Sequence, residues 1–176
     1  SEIGGTTSSF VTDPLTLTTW YRVFVYATEN GCDDIYSNAV EVTVFPDIAI
    51  SLQPVGSQIC AGGVWPLSVT ASGSPNILYQ WQDSTATGSW QNVSETGGTT
   101  SSFTSDPLSE TTWYRVFISA TEAGCEDVFS NAVEVTVFPD ITISVQPVGG
   151  SICTGGNMDL SVVATGSPAI QYQWEI

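Results

Sequence analysis

The sequence has no lysine and no histidine, and its two basic residues are both arginines, Arg22 and Arg115. Against them stand 18 Asp and Glu, giving a formal net charge of −16 over 176 residues. Each shortage closes off a class of chemistry. Ser–His–Asp hydrolysis, histidine-ligated metal catalysis, lysine Schiff bases and Walker-type phosphate binding all need a residue that is missing. Nucleic acid is excluded as a partner, because neutralising phosphates takes clustered Lys and Arg. No apolar run approaches the roughly 18 residues of a membrane span, and no signal-peptide pattern is seen. Helical periodicity is nearly absent as well. What remains is an acidic chain rich in Thr, Ser, Gly and Val, with 41% apolar residues. That is enough for a core and too much for a disordered acidic tail.

Self-comparison reveals a repeat. A shift of 93 residues lays the Thr-Thr-Trp-Tyr-Arg-Val-Phe run starting at Thr18 on the identical run starting at Thr111. It lays Cys32 on Cys125, Cys60 on Cys153, and Tyr79-Gln80-Trp81 on Tyr172-Gln173-Trp174. Of the 83 pairs formed by 1–83 against 94–176, 58 are identical and no gap is needed. Pro46 and Pro139 follow Val-rich alternating runs at equivalent places, where a residue without an N–H belongs at a strand end. The expected organisation is therefore a complete unit at 47–139. Residues 1–46 read as the C-terminal half of one unit and 140–176 as the N-terminal half of another. Neither half can bury its apolar face alone, so each is expected to be completed by a longer array or by neighbouring copies. Two periods are 186 residues, ten more than the chain has, and the missing positions correspond to Ser84–Val93 of the complete unit.

Within a unit, Val, Ile, Thr, Phe and Tyr alternate at period two between Gly-Gly, Ser-Gly, Ser-Pro and Asp-Pro breaks. Strands are expected at Trp65–Ala71, Tyr114–Ala120 and Ala132–Phe138. Seven or eight short strands in such a unit make an all-β sandwich. Trp81 follows Val69 by twelve residues, and Tyr114 precedes Val116 by two. In these spacings the unit resembles an immunoglobulin-like domain, with Trp81 as the buried strand-C tryptophan and Tyr114 as a tyrosine corner. Valines stand where antibody domains carry their inter-sheet cysteines. The expected core is Val69, Trp81, Tyr114 and Val116, with Trp174 in the following half-unit. Copies joined through Phe138-Pro139-Asp140, almost without linker, are expected to form an elongated rod.

The four cysteines recur at fixed places without a CxxC pair, which favours disulfides in an oxidising compartment over metal ligation. Cys60 sits before Gly62-Gly63 and Cys125 in an acidic turn, with Cys153 and Cys32 as their counterparts. Two pairings stay open: Cys60 with Cys125 inside a unit, or each to a neighbouring repeat.

Read together, Ile-Cys-x-Gly-Gly, Leu-Ser-Val-x-Ala-x-Gly, Tyr-Gln-Trp, Thr-Trp-Tyr-Arg-Val, Gly-Cys and Ala-Val-Glu-Val-Thr-Val resemble the tandem immunoglobulin-like repeats of giant Bacteroidota surface proteins. Among these they are similar to gliding-motility adhesins of the SprB type. The resemblance implies export to the bacterial cell surface, a filamentous shape, and adhesion to surfaces or polysaccharide. Partners would be neighbouring repeats and other filament copies. Two other readings stand beside it: a carbohydrate-binding module repeated for avidity, and a pilus-like polymer whose half-units are completed by neighbouring chains.

Smaller signals are scattered along the chain. The acidic turns holding Asp33, Asp34, Glu126 and Asp127 could offer oxygen ligands to Ca²⁺, although no DxDxDG pattern is present; no other cofactor is expected. Trp90, in the Gly88–Val93 hairpin, is the aromatic expected to be exposed, while Trp20 and Trp113 are expected to pack or to make an inter-subunit contact. Asp83-Ser84-Thr85 matches a short O-glycan acceptor pattern and Asn92-Val93-Ser94 an N-glycan sequon, making Ser84 and Asn92 candidate glycosylation sites. No acidic pair is placed for glycoside hydrolysis, and no enzyme activity is expected.

Overall fold

The computed structural model describes residues 5–85 and 89–176, and every regular element among them is a β-strand. The first four strands are β1 (Thr19–Tyr21), β2 (Phe24–Val25), β3 (Ile35–Tyr36) and β4 (Val40–Val42). Ten follow between Pro46 and Pro139: β5 (Ala49–Leu52), β6 (Ser57–Cys60), β7 (Pro66–Ser68), β8 (Thr70–Ser72), β9 (Ile77–Thr85), β10 (Gln91–Asn92), β11 (Ser102–Thr104), β12 (Thr112–Ala120), β13 (Val128–Phe129) and β14 (Val133–Phe138). The last two are β15 (Thr142–Val145) and β16 (Val163–Thr165).

The middle ten make the sandwich. One sheet runs β10–β9–β12–β14–β6, with β13 also on β12. Its spine is the antiparallel β9–β12 pair, in register from Thr112 opposite Thr85 to Ala120 opposite Ile77. β6 joins the far edge parallel to β14. The facing layer is built from β7 paired with β11 and β8 paired with β5. The strand expected at Trp65–Ala71 is interrupted at Val69, which bonds the Ser101 carbonyl instead (3.0 Å). The interruption lets one stretch of chain serve two partners in turn.

Alternation fixes which side chains meet between the layers. Along β12, Thr112, Tyr114, Val116 and Ile118 turn inward and are buried. They meet Ile48, Leu67, Val69, Trp81, Val93, Phe103 and Val135. Trp81 is fully enclosed, and its indole N–H donates to the Thr100 carbonyl (2.9 Å), so the burial leaves no polar atom unpaired. With no disulfide across the sheets, cohesion comes from this apolar area, at roughly 25 cal/mol per Å². Gly73 has φ +137°, and a Cβ there would stand 2.5 Å from the Asp47 carbonyl oxygen. Only glycine lets the start of the unit pass so close.

The outer strands repeat the same pairings 93 positions away. Thr19 opposite Val42 matches Thr112 opposite Val135, and Phe24 opposite Tyr36 matches Phe117 opposite Phe129. Thr142 opposite Thr165 matches Ala49 opposite Ser72. Every strand pairing among the described residues joins partners on the same side of both Pro46 and Pro139. Among the described residues no second layer covers these outer hairpins. Trp174, expected in a core, is accordingly 51% exposed. The correction has a simple cause: the strands that would cover it are not opposite it.

Candidate binding face

The outward side of β12 carries what the inward side does not: Trp113, Arg115 and Phe117. Arg115 lies opposite Gln82 of β9, and its Nε donates to the Gln82 side-chain oxygen (2.9 Å). Gln82 Nε2 in turn donates to Asn92 Oδ1 on β10 (2.9 Å). The guanidinium carbon stands 4.3 Å from the ring centres of both Trp90 and Phe129. Phe129 is tilted against Phe117 at 5.0 Å. A delocalised cation between two aromatic faces is held electrostatically, at about 0.5–1 kcal/mol per contact where water reaches it. The sole cation of the complete unit is thus fixed on a ridge of rings and amides. Such a ridge can stack on a flat apolar face while hydrogen-bonding or charge-pairing to its rim. The first hairpins repeat it, with Arg22 at 4.2 Å from the Tyr36 ring and Phe24 at 4.7 Å from Tyr36.

Trp20 and Trp113 do not pack inside the unit, Trp113 being 39% exposed because it alternates with the buried Tyr114, so of their two expected roles the inter-subunit contact is the one left. One aromatic expectation is corrected. Trp90 is half-buried beside Arg115 rather than free. Gly88, which opens the expected Gly88–Val93 hairpin, lies outside the described residues. The ridge was readable in principle, since Trp113-Tyr114-Arg115-Val116-Phe117 puts Trp, Arg and Phe on one face of any strand. What no local pattern supplies is the arrival of Phe129, Trp90 and Gln82 from three other strands and turns.

All four cysteines are free thiols. The in-unit Cys60–Cys125 bond is ruled out by the length of the sheet. Cys60 is in register with Phe138, past the Thr112 end of β12, and Cys125 lies in the turn beyond Ala120. The nine residues of β12 span roughly 27 Å, whereas bridged Cα atoms sit within about 7 Å. Asp33, Asp34, Glu126 and Asp127 are not drawn together: among the described residues no three acidic or cysteine side chains could jointly hold a metal ion. Ser84 is buried, with its hydroxyl donating to the Thr85 carbonyl (3.2 Å), so the O-glycan candidate is not presented at the surface. Asn92 is exposed, its side-chain oxygen engaged by Gln82.

Among the described residues, three ionisable groups are shifted. Partial burial holds the Asp83 carboxyl above its ordinary value, and the nearby Glu95 adds to the effect. Tyr114 is pushed up to about 12, chiefly by burial and then by Asp83 and Glu95. Glu122 is held low because the Ser74 hydroxyl and the Asn76 amide both donate to it, tying two turns together.

Comparison with known proteins adds a frame. A family model described as a domain of unknown function (DUF8696) matches residues 53–139. No curated protein matches. Among solved structures, a three-domain titin fragment, I67–I69 in an E-to-A variant, superposes with a TM-score of 0.51 at 12% identity. It covers 70% of this chain and 44% of its own. Sidekick-1 immunoglobulin domains 1–4 give 0.50 at 15% identity, over 85% of this chain and 41% of that one. The fold is an immunoglobulin-like β-sandwich. This chain spans less than half the length of either structure, and at such identities the likeness speaks to fold alone. Among the described residues no helix is long and apolar enough to cross a membrane.

Proposed function

We propose that this chain is a structural and adhesive segment of a large repetitive filament on a bacterial cell surface, with unit boundaries at 1–46, 47–139 and 140–176. One observation carries the reading: β14 ends at Phe138 and β15 begins at Thr142, leaving three residues between one unit and the next. A proline among those three stiffens them further. Acidic units that repel one another suit an extended, soluble array outside the cell. In that setting the cysteines are candidates for links between repeats, and gliding adhesion is the finer form of the reading. The test is dimensional. Polypeptides with one to four copies of 47–139 should show, by small-angle X-ray scattering, a maximum dimension that grows linearly with copy number. Growth as a compact particle, or as freely jointed units, would remove the rod.

A second reading is favoured by the Trp113–Arg115–Phe129 ridge: binding of surface polysaccharide by each unit, with avidity from repetition. Calorimetric titration with neutral and uronate oligosaccharides tests it, since Arg115→Ala should abolish heat from the acidic sugars first. Calcium at the acidic turns would show as a rise in melting temperature when the ion is added.

A further inference from the structure

The complete unit carries two cysteines, Cys60 and Cys125, and the fold sends them to opposite poles. Cys60 ends β6 in register with Phe138, the last residue of β14. The next residue, Ala61, donates its N–H to the Phe138 carbonyl (2.9 Å). The Cys60 thiol therefore lies beside the point where the chain leaves the unit. Cys125 belongs to the turn after β12, at the pole where the chain enters. Glu122 of that turn accepts from the Ser74 hydroxyl and the Asn76 amide, and Gly73, just before them, lies against the Asp47 carbonyl.

Both turns stand clear of the sandwich. A Cβ placed on Gly124, directly before Cys125, or on Gly62, two residues after Cys60, would meet nothing within 4 Å. Cys60 is exposed and Cys125 half-buried. The first turn recurs one period on, where the Gly156 N–H returns to the Cys153 carbonyl (2.9 Å) as the Gly63 N–H returns to that of Cys60 (3.0 Å).

Within one unit the two thiols are a sheet length apart. Across a junction the path is short. Phe138 and Asp140 are two residues apart, at most about 7 Å. Asp140 stands to Gly166 as Asp47 stands to Gly73: a Cβ on either glycine falls 2.5 Å from the aspartate carbonyl oxygen. The entry pole of a following unit thus begins within that distance of Phe138. Cys60 adds one strand spacing of roughly 5 Å on its side, and the Cys125 position adds the few turn residues after Glu122 on the other.

We infer that Cys60 of one unit forms a disulfide with the cysteine at the Cys125 position of the unit that follows. The inference rests on the reading of the chain as an array of abutting units, and specifies which cysteines join them and in which direction. The oxidant is a small-molecule disulfide. The Cys125 thiolate attacks one of its sulfurs and expels a thiolate; the Cys60 thiolate then attacks the Cys125 sulfur of the mixed disulfide and expels the second. Two protein thiols become one S–S bond, and their protons leave on two small thiols. Each junction is then crossed by two covalent connections, which stops the units turning about Pro139.

The test uses two copies of 47–139 joined directly, each holding a whole sandwich, with oxidised glutathione at micromolar protein concentration. The expected product contains one bond, read as a mass about 2 Da below the reduced form, and two of its four thiols remain open to alkylation. Cys60→Ser in the first copy, or Cys125→Ser in the second, should abolish the bond. The same substitutions in the other copy should leave it. All these positions lie in turns or at a strand end, so an unchanged thermal melt shows that the variants fold. The 176-residue polypeptide, whose Cys60 and Cys125 share one unit, should keep the two unbonded to each other under the same treatment. No protein disulfide, or a bond that survives Cys60→Ser in the first copy, overturns the inference. Scattering separates this from the parent reading: a linear rod without the bond removes the staple alone, and the expected bond between freely jointed units keeps the pairing while removing the rod.

Discussion

Trp81 and Trp174 sit at the same point of two near-identical sequence stretches, yet the first has no exposed surface and the second is 51% exposed. Val116 and Val23 differ in the same way, 0% against 50%. Local structure does not differ correspondingly: the hairpin pairings, the Phe–Tyr contact and the Ser–Val bonds are kept in both regions. What changes is extent. β12 runs nine residues with β9 alongside, whereas its counterpart is broken into the short β1 and β2. Neighbouring sequence therefore decides who pairs with whom. A second layer decides how long the strands become and whether anything is buried.

The strongest way to break this contrast is Trp81→Ala. Emptying the most enclosed site should cost about 3–5 kcal/mol and unfold the central unit in a thermal melt followed by near-ultraviolet circular dichroism. Trp174→Ala should leave that transition in place; equal effects would mean the outer hairpins share the central core. Next comes Gly73→Ala, expected to cost about 2–3 kcal/mol because of its φ and the 2.5 Å approach to Asp47. Gly166→Ala meets the same geometry at Asp140 but should barely move the main transition, as read by urea denaturation. In hydrogen exchange at low concentration, the amide of Val116 should exchange on the order of a thousandfold more slowly than that of Val23.

The smallest expected effects are electrostatic. Glu122 titrates below its ordinary 4.5 in the folded state, so its contribution is present above that value and lost as pH falls through the folded value. Glu122→Gln should remove that acid-side loss from the pH dependence of the melting temperature. Asp83 has the opposite sign: its raised value penalises the folded state at neutral pH, and the penalty lifts as pH falls through the folded value toward 3.8. Asp83→Asn should stabilise slightly at pH 7, by under about 1 kcal/mol, and change nothing near pH 3.

Much of the sandwich was legible from residues. Alternation gives the inner face of β12, and spacing singles out Trp81, Tyr114 and the two valines between the sheets. The break at Val69 was not legible, because it depends on β5 and β11 arriving from opposite ends of the unit. Trp174 was misread for a related reason, since a sequence pattern states an affinity for burial but not whether a covering layer is within reach. At the ridge, one strand's face could be read, while Phe129 and Trp90 are brought to Arg115 only by the finished topology. Ser84 shows the limit of short motifs, which carry no information on depth.

The parallel pairing of β6 with β14 has a mechanical consequence. These strands lie near the two ends of the unit, and tension along the chain would pull them in opposite directions past each other. Their ladder, Ser57 with Val135 through Cys60 with Phe138, would be loaded in shear. All its rungs would then resist together instead of opening one by one, so the unit's toughness under stretch is set at that edge and not in its interior.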